Sequence, residues 1–342
     1  MLPLKMPVID DSIRSMIEYP HLPEKTADST RPIKMPEIDQ LFDIQINGYA
    51  GVDFNADRLT PEALHEACAK LLDDGVSQIL ATVITDTIEK MAARLANLAA
   101  LRAADPLVQQ VVAGFHIEGP FISPEPGYVG AHPVEHVVPP TVDAMQRLLD
   151  AADGLVRIVT LAPETDAGLK VTRMLVQSGV VVAAGHCNAT MDQLLAALDA
   201  GLGMFTHLGN GCPAELPRHD NIVQRVLSIA DRLFISFIAD GAHVPLFALG
   251  NYLRLVPAKH VIIVSDAIGA AGCGPGTYTL GGQSVEIGDD LVPWAEDGTH
   301  LMGSACPLAR MVANLRSGLD ITDDQIHQWF VDNPRRLLRE NL

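Results

Sequence analysis

Positive charge is scarce in this sequence: 24 Lys and Arg stand against 42 Asp and Glu, a net charge of −18. Nucleic-acid binding needs a basic footprint, and an anionic membrane surface repels such a chain, so neither partner is expected. Long apolar runs are missing too. None reaches the roughly 18 residues that span a bilayer, and the opening MLPLKMPVIDDSIRSM has no signal-peptide core. The five cysteines stand singly at 68, 187, 212, 273 and 306, with no CxxC. That argues against a disulfide framework and for a reducing cytoplasm. GxGxxG is absent, and neither an internal repeat nor a low-complexity segment is found. What is present, 48% apolar residues over 342, suffices for a sizeable core.

Residues 1–40 carry six prolines and no sustained period, so an irregular N-terminal arm is expected there. From 41 to 342 the pattern is regular. Eight short apolar runs rich in β-branched residues begin at LFDIQI (41–46) and VSQILATV (76–83). They continue with 110–117, 155–162, 180–185, 204–207, 234–240 and 260–266. Continuous apolar strands of this kind belong to a parallel sheet buried on both faces. Helical stretches separate most of them: 61–74 behind Thr60-Pro61, 87–104, one capped by Thr141, 166–178, 189–201, and weaker ones over 222–231 and 245–255. Eight strands with helical crossovers predict an α/β fold, a (β/α)8 TIM barrel, over 41–342. Short β-like runs follow over 276–302, then helices over 305–317 and 322–331.

Chemistry in such a barrel sits at the C-terminal ends of the strands. Strand one ends in Gln45 and Asn47, strand three in His116 and Glu118, strand five at His186, strand six at His207 and strand eight at Asp266; strand seven leads into Asp240 and His243. Imidazole and carboxylate are good ligands for Zn²⁺ or Fe²⁺, and three ligands with one open position form the catalytic pattern. A remaining aspartate can serve as general base and then general acid. The bland readings are a satisfied polar residue at each strand end, a plain Gly-Pro turn after Glu118, and Asp266 as a helix cap. Cys187 and Cys212, close in sequence to the histidines, are candidate thiolates or ordinary buried thiols.

The segments FDIQINGYAGVDF, GFHIEGPFISPEPGYVGAHP, AGHCNATMDQ, THLGN, IADGAHV, SDAIGAAG, GSACPLARMVANL and DNPRRLL occur in this order. Together they resemble the N-acetylglucosamine-6-phosphate deacetylase family of the amidohydrolase superfamily, over roughly 41–338. The resemblance implies that Glu118, His186 and His207 hold one divalent ion, zinc in first place, with Fe²⁺, Co²⁺, Mn²⁺ or Ni²⁺ as alternatives. It implies Asp266 as the catalytic base and acid. It also implies His132, Asn210, Gly211, Arg218 and His243 as contacts to an amino-sugar phosphate, with the arginine supplied across a homodimer interface. The expected reaction is deacetylation to glucosamine 6-phosphate and acetate by water that the metal activates.

Many superfamily members carry HxH at strand one, where this chain has Gln45-Ile46-Asn47. An amide is a poor transition-metal ligand, so a single ion is expected, with Gln45 and Asn47 lining the site. Some members of the deacetylase family carry the same amide pair. Two departures stand out. The family's small β-sandwich is expected to be absent or vestigial here. The loop HLGNGCPAELPRHDN also differs around Arg218 from the family's usual HLFNAM sequence. That loop motivates a second reading, the same chemistry on another N-acetylated sugar or N-acyl amino compound. A third is a non-catalytic sugar-phosphate sensor.

Overall fold

Apolar, β-branched runs form eight parallel strands: β1 Leu41–Ile46, β2 Val76–Ile84, β3 Val112–Glu118, β4 Val156–Leu161, β5 Val181–Ala184, β6 Leu202–Phe205, β7 Phe234–Ile238 and β8 Val261–Val264. They pair in chain order in one sheet. This is a computed structural model, and it describes residues 40–280, 283–294, 301 and 303–339. The chain divides into Met1–Pro36 and Glu37–Leu342, and the described residues belong to the second unit. Of the arm expected over 1–40, all but Gln40 lies outside the described residues.

The strands are buried on both faces; all six residues of β1 are, as are all four of β5 and of β8. Ile44, Ile79, Phe115, Ile158 and Ile263 form part of one continuous core. The connecting helices begin where their caps say they should. Thr60 Oγ1 accepts from Ala63 N ahead of the helix Pro61–Asp73, Thr87 from Lys90 N ahead of Ile88–Ala104, and Thr141 from Ala144 N ahead of Val142–Ala151. Thr190 and Gln193 close a capping box on Met191–Asp199.

Three local departures from the sequence reading have physical causes. Residues 110 and 111 end a short helix, Pro106–Val111, instead of starting a strand. Asp105 caps it, accepting from Leu107 N at 2.8 Å and Val108 N at 3.3 Å. The 166–178 helix is broken by left-handed Gly168 and Leu169, and the α-helix proper is Lys170–Gln177. Near the end, Asp323–His327 passes through a π turn, Gln328–Asp332, into a further helix, Asn333–Arg339. Buried Asn333 anchors that helix by donating to Ala258 O and Val261 O at 2.8 and 2.6 Å. As for the β-sandwich, the described residues over 276–302 hold an antiparallel hairpin, Gly276–Leu280 with Gln283–Ile287.

One seam joins differently. Continuous ladders link β1 through to β8, but β8 meets β1 by other contacts. Asp266 N donates to Gln45 O at 2.9 Å, and Asn47 N to Ala267 O at 2.7 Å. The buried Asp43 carboxylate accepts from Gln45 N and Ser265 N, each at 3.2 Å, and from the Ser265 hydroxyl. Burial outweighs these donors and pushes the Asp43 carboxyl up to about 7.

The sign of that shift gives a test. A carboxyl that titrates higher in the folded than in the unfolded chain stabilises the fold at low pH and loses that contribution as pH rises towards 7. Asparagine mimics the protonated acid at every pH. The thermal-stability advantage of the wild type over Asp43→Asn should therefore shrink between about pH 4 and about pH 7, then level off. An advantage that grows over this range would show the carboxylate to be charged and stabilised throughout.

Candidate metal-dependent active site

Three candidate residues lie just past their strands with backbone that L-residues avoid: His186 at φ 48°, His207 at φ 31° and Asp266 at φ 47°. Non-glycine residues held there cost about 1–3 kcal/mol each and persist only where neighbours fix them. Here they do. His207 N donates to Ser236 Oγ at 2.8 Å, and Asp266 N is fixed by Gln45 O. The His186 ring is tied by Nδ1 to Tyr128 O at 2.8 Å. The kinks release these side chains from the in–out alternation of the strands.

Glu118, His186 and His207 thereby bring one ligand atom each within 4.8 Å of one another, all buried. Glu118 Oε1 lies 2.8 Å from His207 Nε2 and 3.3 Å from His186 Nε2. A backbone carbonyl only accepts, so His186 donates from Nδ1 to Tyr128 O and Nε2 is the nitrogen that faces Glu118. His207 Nδ1 is buried without a partner. Two imidazoles and one carboxylate are a donor set for a borderline-soft divalent ion, so the residues present fit such an ion.

Burial alone would push Glu118 up, but the two imidazoles hold it well below the usual carboxylate range. Burial would lower His207, and Glu118 raises it instead. Asp266 moves the other way: burial and the charge of Glu118 push it up, against His207 and the Asn47 amide. The two carboxylates are thus driven apart in acidity, a pattern that marks acid–base sites.

The first-strand amides sit between them. Gln45 Nε2 donates to Glu118 Oε1 at 3.0 Å and lies 3.5 Å from Asp266 Oδ1. Thr206 Oγ1 donates to Gln45 Oε1 at 2.5 Å and so fixes which way the amide faces. Asn47 Nδ2 donates to Asp266 Oδ1 at 2.8 Å. His116, on β3 with Glu118, turns away: its ring is held by Ile44 O and Thr160 Oγ1, and burial lowers its pKa to about 4. It is a core residue.

The substrate candidates are distributed around this centre. His132 packs edge-on against His186, ring centres 4.5 Å apart, with Nδ1 2.8 Å from Thr85 Oγ1. Burial, then His186, lowers the pKa of His132 to about 3. Gly211 has φ +62°, and a Cβ there would meet His186 Nδ1 at 3.0 Å and His207 Cε1 at 3.2 Å. Its neighbour Asn210 is half-buried and donates through its backbone to His207 O at 2.9 Å. His243 Nδ1 is held 2.6 Å from Asp240 Oδ2, and His243 draws Asp240 below its usual value despite burial. Arg218 is exposed, and among the described residues it has no hydrogen bond or ion pair. Cys187 and Cys212 are not in the ligand group; burial raises both thiols. Sequence reasoning missed Thr85, Thr206 and Ser236, whose only signal is a hydroxyl near the end of a strand.

Curated relatives of this chain are amino-sugar-phosphate deacetylases. No family model matches the chain. The N-acetylglucosamine-6-phosphate deacetylase of Bos taurus is 37% identical over 277 residues, 78% of this chain and 66% of that protein. The N-acetylgalactosamine-6-phosphate deacetylase of Escherichia coli O157:H7 is 30% identical over 298 residues, 87% of this chain and 76% of that one. The chain thus spans slightly under two thirds of the bovine relative's length. Among solved structures, an N-acetyl-D-glucosamine-6-phosphate deacetylase variant from Mycobacterium smegmatis, in complex with N-acetyl-D-glucosamine-6-phosphate, superposes with a TM-score of 0.78 at 28% identity. That match covers 88% of this chain and 77% of the other.

If Glu118, His186 and His207 form the ion's cradle, His186→Ala and His207→Ala should each purify without the divalent ion that the wild type carries. Elemental analysis of the folded proteins checks this. Wild-type metal content in either variant would remove that histidine from the ligand set.

Proposed function

The chain belongs to the N-acetylglucosamine-6-phosphate deacetylase family, and from that premise we propose that it hydrolyses the acetamide of N-acetylglucosamine 6-phosphate to glucosamine 6-phosphate and acetate. The observation that carries this reading is the pairing, in one mouth, of an electron-rich Glu118–His186–His207 cradle with a separate buried aspartate of raised pKa. A divalent ion in the cradle, zinc as the first choice, supplies Lewis acidity and brings the pKa of a water down towards about 7.

This chain's own residues do the rest. Asp266 Oδ1 is held by Asn47 and Gln45, while among the described residues Oδ2 has no hydrogen-bond partner. Oδ2 takes the proton of the attacking water as the new C–O bond forms, then delivers it to the amine nitrogen as the C–N bond breaks. His132 stands beside the cradle to meet the charge that develops on the amide oxygen. His243, oriented by Asp240, and Arg218 receive the phosphate; Asn210 and Gly211 bound the sugar. Among the described residues Arg218 has no hydrogen bond or ion pair, which supports a role across a homodimer. Five free cysteines support the cytoplasm as its compartment. Among the described residues no helix is long and apolar enough to cross a membrane.

A second reading keeps the chemistry and changes the sugar. The galactosamine-specific relative from Escherichia coli covers more of this chain than the bovine one, so the epimeric N-acetylgalactosamine 6-phosphate is the first competitor. Comparing kcat/KM for the two sugars decides between them.

Asp266→Asn should retain the metal and lose at least about 10²-fold in kcat, because the amide fills the space but cannot cycle a proton. Near-normal turnover would assign the base elsewhere. Arg218→Ala should raise KM for the 6-phosphate far more than for the unphosphorylated sugar, since a guanidinium binds phosphate bidentately. Equal effects on both sugars would remove Arg218 from phosphate recognition.

A further inference from the structure

The His132 ring, when neutral, carries one proton on one of two nitrogens, and the choice decides what the ring can do in the mouth. With the proton on Nε2 the ring donates to a substrate oxygen. With the proton on Nδ1 it presents a lone pair there and repels that oxygen. Among the described residues His132 Nε2 has no hydrogen-bond partner; its other nitrogen, Nδ1, lies 2.8 Å from Thr85 Oγ1.

Thr85 is the last side chain before the β2–helix connection turns away, and it is buried, 3% exposed. Its hydroxyl has a single proton and two neighbours in reach: His132 Nδ1 at 2.8 Å, which accepts in one tautomer only, and the Glu118 carbonyl at 3.4 Å, which always accepts. The first is a full hydrogen-bond length, and the second is at the outer limit for a hydroxyl donor. Space for the hydroxyl comes from Gly119, where any Cβ would stand 2.0 Å from Thr85 Oγ1. The turn that follows Glu118 is therefore shaped around this hydroxyl.

We propose that Thr85 is a positioning residue which donates its hydroxyl proton to His132 Nδ1 and so fixes the tautomer that presents Nε2–H to the substrate carbonyl. The proposal rests on the deacetylase reading for its consequence, and on the geometry alone for the tautomer. A donor aimed where oxygen charge develops assists the bond-making step without altering binding of the sugar ring or phosphate.

The test uses zinc-loaded protein with nitrogen-15 histidine. The His132 signals are identified by their loss in His132→Gln, and the two-bond couplings report which nitrogen bears the proton. The wild type and Thr85→Ser should show a protonated Nε2 and a bare Nδ1; Thr85→Val, of the same shape without the hydroxyl, should lose that preference. In acetate-release assays Thr85→Val should lower kcat about 10- to 100-fold, the range for partners that orient active-site groups, with KM and zinc content near wild type. Thr85→Ser should recover most of the loss. A wild-type His132 protonated on Nδ1 overturns the proposal, and that measurement needs no variant to fold. Unchanged kcat in Thr85→Val overturns it as well. Absence of acetate release from the wild type would instead sink the deacetylase reading, while the tautomer result would still stand or fall by the spectra.

Discussion

One carboxylate oxygen organises the mouth of this barrel. Glu118 Oε1 faces His207 Nε2 at 2.8 Å, Gln45 Nε2 at 3.0 Å and His186 Nε2 at 3.3 Å, all of them buried. A charged oxygen deprived of water must be met by protons or cations, and its surroundings are arranged to supply them. Gln45 meets it with an amide whose direction Thr206 sets; the two rings meet it across a gap suited to an ion. Burial and the negative charge so maintained raise the pKa of Asp266. The ligand group and the shifted Asp266 carboxyl thus share one electrostatic arrangement.

Much of the fold could be read from the sequence because the barrel strands are short, mostly apolar runs, many of them rich in β-branched residues. The helix starts were equally plain, since Thr60, Thr87, Thr141 and Thr190 are all true caps. The misreadings arose where local chemistry overrode hydrophobic pattern. Asp105-Pro106 starts a short helix that takes the first two residues of what looks like an apolar strand, and Leu169 adopts a left-handed conformation that no residue-type rule assigns to leucine.

The site was legible at the level of ionisable side chains, because Glu118, His186, His207 and Asp266 each follow a strand. The residues that orient them were not. Thr85, Thr206 and Ser236 look like ordinary strand threonines and serines, and only the register that sets Thr206 against Gln45, or Thr85 against His132, gives them a role. His116 shows the reverse. It has the right type and the right strand, but it stands two residues before the strand end, where Ile44 O and Thr160 Oγ1 satisfy both ring nitrogens in the core.

The seam between β1 and β8 bears on how the chain reaches this state. Asp43 and Ser265 are 222 positions apart, yet their contact helps close the barrel and holds the backbone next to Asp266. Loop-closure entropy rises only slowly with length, about 0.6 kcal/mol per doubling, so the long separation weighs little on final stability. It weighs more on time, because contacts between distant residues form late in folding. The ladders from β1 to β8 can grow by local additions, whereas Asp266 cannot take its place until the two ends of the sheet meet. Assembly of the mouth is therefore coupled to the last closing event, and a chain that has not closed its barrel has no Asp266 in position beside Glu118.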